Sequence, residues 1–74
     1  MNLDEKVCIH FIEEDADKIF SRQLTNYVPR VGDEVRFFAD GYVTFFKLTR
    51  VVWVYDELES IYQRVNIGMI RDLK

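Results

Sequence analysis

Apolar and polar residues alternate with a period of two along most of this chain. The places where the alternation stops or changes phase outline the elements. Val7, Ile9 and Phe11 alternate with Cys8, His10 and Ile12, which predicts a first strand ended by the acidic run Glu13-Glu14-Asp15-Ala16-Asp17. Residues 18–26 fit two patterns. Ile19, Phe20, Gln23, Leu24 and Tyr27 fall at helical spacing behind a capping Asp15. Equally, Phe20, Arg22 and Leu24 alternate with Ser21, Gln23 and Thr25 as a return strand would. A strand is expected, because the acidic run suits a hairpin loop and the rest of the chain alternates. A helix at 16–26 is the alternative.

Pro29 and Gly32-Asp33 predict a rigid turn ahead of EVRFFA, residues 34–39. Asp40-Gly41 suits a two-residue loop with positive φ, and so predicts a tight hairpin. In that register Ala39 faces Tyr42, Phe37 faces Thr44, Val35 faces Phe46, and Glu34 faces Lys47 as a favourable charge pair. Val35, Phe37, Tyr42 and Phe46 then share the core side, and Arg36, Phe38, Val43, Phe45 and Lys47 the other. A second hairpin is expected around the acidic loop Asp56-Glu57-Leu58-Glu59-Ser60. Pairing Tyr55 with Ile61 sets Val51 opposite Val65 and Trp53 opposite Gln63. Val51, Trp53 and Tyr55 then face the core with Ile61, Val65, Ile67 and Met69. From residue 42 on, core positions are thus even as far as Leu48 and odd from Val51, which predicts a bulge or bend near Thr49-Arg50. Strands that bend and change sides are how small barrels close.

The pattern therefore predicts one all-β domain over residues 1–74, a small five-stranded barrel. The alternative is an α+β fold, a four-stranded antiparallel sheet with one helix at 16–26. A domain this small buries only about 60% of the surface its unfolded chain exposes. Aromatic residues make up 15% of the chain, an unusual share. Each ring buries roughly 150–250 Å². Those rings, a partner chain, or both must hold the fold, because Cys8 is the single cysteine and no intrachain disulfide can form. A lone cysteine suits a reducing compartment. MNLDEKVCIHFIEED lacks the cationic region, apolar core and cleavage site of a secretory signal, and no apolar run approaches the roughly 20 residues that span a bilayer. A cytoplasmic protein without a membrane partner is expected.

Charge narrows the partners. The net charge is −3, with eight acids against four bases in residues 1–34 and five against six in residues 35–74. An acidic chain gains little from the counterion release that drives nucleic-acid binding, although a local basic stripe can still supply it.

PRVGDEV, followed by the Asp-Gly hairpin, VVWVYDE and RVNI, resembles small SH3-like barrels, in which a Gly-Asp turn commonly opens a strand. The same stretch, about residues 27–67, is similar to short bacterial single-domain proteins, including those carried on mobile gene cassettes. The resemblance implies a barrel that binds something and no particular chemistry. It carries over no site residue.

No motif supplies catalysis, a cofactor or a metal cage, and none is expected. Cys8 and His10 point the same way from one strand, but structural zinc needs four ligands and this chain has one Cys and one His. Glu13, Glu14, Asp15 and Asp17 lack the glycine turn and distal glutamate of a calcium loop. They read, with Asp56, Glu57 and Glu59, as solvated loops, the first keeping an edge strand soluble. Trp53 is expected in the core. One constellation stands out: Arg36, Phe38, Phe45 and Lys47, continued by Val52, Val54, Tyr62 and Arg64. This face is either a second part of the core or an interface, since aromatics and Arg concentrate at protein hot spots. The expected function is a non-enzymatic interaction module binding a protein through this face, most simply a second copy. The alternative is an oligonucleotide-binding barrel, with Phe38 and Phe45 stacking bases beside Arg36, Lys47 and Arg64.

Overall fold

The computed structural model describes residues 6–55 and 63–72. They form five strands, β1 (Val7–Glu13), β2 (Lys18–Thr25), β3 (Glu34–Ala39), β4 (Tyr42–Val54) and β5 (Gln63–Arg71), and no helix. The alternation at residues 18–25 is thus realised as a strand, and the protein is all-β. The strands make one sheet in the order β2-β1-β5-β4-β3. All neighbours are antiparallel except β1 and β5, which run parallel. The sheet curls into a half-barrel, so that Phe20 on one edge strand meets Phe37 on the other, their ring centroids 5.1 Å apart.

The inner face holds the core: Ile9 and Phe11 from β1, Phe46 and Leu48 from β4, and Val65, Ile67 and Met69 from β5. Val7, Phe20, Val28, Val35, Phe37 and Val51 pack around its rim. Edge-to-face ring contacts link Phe20 and Phe37 to Phe46, at 4.9 and 5.8 Å between centroids. Such pairs add roughly 0.5–1.5 kcal/mol each beyond the area they bury.

Two irregularities set the faces. The β4–β5 register shifts between Leu48 and Arg50, where the change of parity predicts a bulge. The β1–β2 register shifts between Phe11 and Ile12, so that Phe20 falls out of the pairing while Ser21 lies opposite Phe11. This second bulge separates Phe20, which turns into the core, from Arg22 and Leu24, which stay on the outer face. Simple alternation had grouped the three together.

Turn chemistry sets the β3–β4 hairpin. Asp40 and Gly41 both have positive φ, 52° and 81°, and the four expected pairings from Glu34–Lys47 to Ala39–Tyr42 all hold. Gly32, at φ 95°, closes the preceding turn. That turn is tied by Asp33 N–H donating to the Arg30 carbonyl and by Arg30 N–H donating to Asp33 Oδ2. It docks on β4 through Gly32 N–H to Leu48 O and Leu48 N–H to Asp33 O.

Four expectations are corrected. First, the β4–β5 register differs by two residues: Val51 lies opposite Ile67 rather than Val65, and Trp53 opposite Val65 rather than Gln63. An even slip keeps every side chain on the same face, so the apolar pattern cannot distinguish the two registers. The expected Tyr55–Ile61 pair and Tyr62 fall partly or wholly outside the described residues. Second, Trp53 is 45% exposed and Tyr55 80% exposed: β3 covers β4 only as far as Lys47, and among the described residues no strand pairs with the lower end of β4 on that side. Third, Tyr42 is 77% exposed, because β5 pairs with β4 only from Phe46 onward and the hairpin tip projects past the core. Fourth, Glu13 belongs to β1 and is buried, where Arg71 Nε donates to its Oε2 at 2.8 Å and Arg71 lies over the Phe46 ring. The strand it ends, β1, is interior rather than an edge.

Candidate functional site

The sheet has two faces, and among the described residues only the inner one packs into a core. The register places the outward side chains. Leu24, Cys8, Arg64 and Val54 form one row across β2, β1, β5 and β4, and Arg22, His10, Asn66 and Val52 form the next. Ile19, Ile12, Gly68 and Arg50 form a third. Lys47 with Ile70, then Arg36 with Phe45 and Phe38 with Val43, continue the face toward the hairpin tip.

Of the expected interface residues, the structure thus brings Arg36, Phe38, Phe45, Lys47, Val52, Val54 and Arg64 onto one open face. Tyr62 lies outside the described residues. The choice between core and exterior for Phe38 and Phe45 is resolved: Phe38 is 78% exposed and Phe45 half-buried, and neither joins the core. The Arg36 guanidinium sits 5.3 Å from the Phe45 ring centroid and 3.6 Å from the Glu34 carboxylate, which itself lies opposite Lys47. An open concavity of about 360 Å³ at the hairpin tip is lined by Phe38 through Val43.

Composition makes this face unusual. An antiparallel sheet with one wet face ordinarily alternates to polar residues there. Here Leu24, Ile19, Val43, Val52 and Ile70 are exposed, interspersed with the exposed cations Arg22, Arg36, Lys47, Arg50 and Arg64. Arg22, Arg50 and Arg64 form no ion pair with a described residue. His10 stands opposite Arg22 and one row from Arg64. Burial first, then repulsion from Arg64 and Arg22, holds its imidazole below the ordinary histidine pKa.

Near the bulge the face is latched. Thr49 donates its hydroxyl to the Glu14 carboxylate, which crosses over Gly68 to reach it. A Cβ at Gly68 would lie 2.8 Å from that carboxylate, so only glycine leaves the path clear. At the opposite end, Gln63 Nε2 donates to the Val54 carbonyl at 2.5 Å.

Sequence reasoning missed Arg22, Arg50, Ile12 and Leu24 as members of the face. Arg22 and Leu24 join it through the β1–β2 bulge and the parallel β1–β5 pair, neither of which leaves a local signal. The parity change at Thr49-Arg50 did contain the placement of Arg50. Cys8 and His10 lie on this face too, half-buried, and among the described residues no three His, Cys, Asp or Glu side chains converge as metal ligands would. Comparison with family models finds no match, and comparisons with curated proteins and with solved structures find none either.

Proposed function

We propose that the chain is a non-enzymatic interaction module whose outer sheet face binds a protein partner, most simply a second copy of itself. The observation that carries this reading is the uncovered outer face, where apolar residues and arginines intermix as they do in interface cores. Size argues in the same direction, since a small core gains stability from any partner that binds only the folded state. The likeness to SH3-like barrels, drawn from PRVGDEV and the Asp-Gly hairpin, also points to a binding module. The test is mass in solution by light scattering behind a sizing column, over a wide concentration range. A dimer is expected, weakened by Phe38→Ala and Val54→Ala with the fold intact, whereas Phe37→Ala acts mainly on stability. A monomer at every concentration would sink the self-binding form of the proposal.

A second reading has its own support. The outer face carries Arg22, Arg36, Lys47, Arg50 and Arg64, in a chain whose net charge is −3. With Phe38 and Phe45 beside them, these could hold a single-stranded oligonucleotide by phosphate contacts and base stacking. Titration with a single-stranded oligonucleotide separates the readings. Nucleic-acid affinity falls steeply as salt rises, and an apolar protein interface responds weakly.

A further inference from the structure

The charges on the outer face are not spread evenly, and their layout selects one way for two copies to meet. On β1 and its neighbours the two ends differ in sign. Near the start of β1 lie Lys6, Arg64 opposite Cys8, and Arg22 opposite His10. At the other end lies the β1–β2 turn with Glu14, Asp15 and Asp17, all exposed. Six residues separate Cys8 from Glu14, about 20 Å of strand at roughly 3.3 Å per residue. Between the ends the outward residues are His10 and Ile12 on β1, Ile19 on β2, Asn66 and Gly68 on β5, and Val52 and Arg50 on β4, with the Glu14 carboxylate folded over Gly68.

A strip with opposite charges at its ends is complementary to itself when rotated end for end. Two-fold interfaces require that property, since residue i on one copy meets residue j on the other and the reverse. We propose that two copies pack outer face to outer face about a two-fold axis running across the strands between Asn66 and Gly68. Each strand then lies over its own copy with its ends exchanged, so the acidic β1–β2 turn of each copy lies over Cys8 and Leu24 of its partner, with Arg64 on the neighbouring strand and Arg22 in the next row.

With the axis at that height, the row of Arg22 and Val52 meets the row of Ile12, Gly68 and Arg50. No arginine of these rows then faces its own copy. The other face-to-face arrangement, rotated about an axis along β5, is disfavoured because it sets Arg64 against itself. Like charges opposed across an interface cost several kcal/mol. In plan, three strands about 4.8 Å apart and about 20 Å long cover roughly 300 Å². That is well below the ~800 Å² per partner of a standard stable complex, so the dimer is reversible and sensitive to salt. This inference rests on the self-binding form of the function proposed above.

The test is a charge swap read by light scattering, with circular dichroism to verify the fold. One variant is Arg22→Glu/Arg64→Glu; the other is Asp15→Lys/Ala16→Lys/Asp17→Asn, which keeps at position 17 a residue tolerant of its positive φ. Each variant alone should need at least tenfold more protein than the parent chain to dimerise. An equimolar mixture should regain the parent midpoint, because both contacts become attractive again in the heterodimer. Arg64→Glu alone serves as a milder version of the first variant. If the parent dimerises and both variants do so equally well, the arrangement is wrong and the self-binding function stands. Loss in both variants without recovery on mixing also overturns the arrangement. A parent chain that is monomeric throughout overturns both proposals at once.

Discussion

The inner and outer faces of this sheet are built from similar residues and meet opposite fates. Phe46 on the inner face has none of its surface exposed, while Phe38, eight positions earlier on the adjoining strand, is 78% exposed. Both sit in alternating strands, and each directly follows another phenylalanine. The difference comes from what lies across the curl. Phe46 meets Phe20 and Phe37 across the concave side, and among the described residues no strand packs against the convex side. Composition therefore does not separate core from interface here. Curvature does.

Breaking the inner face should have the largest effect. Phe46→Ala removes the ring that Phe20, Phe37 and Arg71 all rest against. The expected loss is about 3–5 kcal/mol. That is comparable to the entire stability of a marginal small domain, roughly 0.05–0.15 kcal/mol per residue. Urea denaturation should find the variant largely unfolded in buffer. A cooperative transition within 1 kcal/mol of the parent's would show that the ring is not central.

An intermediate effect is expected where the two faces are joined at the Glu14–Thr49 latch. Gly68→Ala should lower stability by about 0.5–1.5 kcal/mol, the worth of the one hydrogen bond it displaces. In a Glu14→Ala background the same change should be neutral or mildly stabilising, since glycine inside a strand is itself unfavourable. Equal losses in both backgrounds, in a double-mutant cycle, would remove the latch from the account.

The outer face should produce the smallest effect, through His10. Its imidazole is held below the ordinary value by burial, Arg64 and Arg22, so the unfolded chain takes up the proton first as pH falls. Stability is then lost as pH drops from about 7 through the unfolded value near 6.5 and on to the lower folded one. Thermal melts between pH 7.5 and 5 should show this slope, and His10→Gln should flatten it. An unchanged slope would mean that other groups dominate.

Several features were legible because they are local. The Asp40-Gly41 turn imposes its own φ values, and with them the whole β3–β4 register. The parity change before Val51 is visible because a bulge moves every later side chain to the other face. The outward placing of Arg36, Phe38, Phe45 and Lys47 follows from the hairpin register. The fate of Tyr42 and Trp53 was not legible, because alternation specifies a face and says nothing about how far the neighbouring strands extend. The buried Glu13 was hidden in an acidic run, since its partner Arg71 is 58 residues away.

By itself the sequence determined four of the strands, the tight hairpin, the bulge in β4 and the sorting of most side chains onto two faces, and left residues 18–26 between strand and helix. Turn φ preferences and period-two alternation act over a few residues and need no other part of the chain. Tertiary structure alone decided the parallel pairing of β1 with β5, the inward turn of Phe20, and the side toward which the sheet curls. Those depend on contacts between distant segments, where an even slip or a strand exchange leaves every local pattern unchanged.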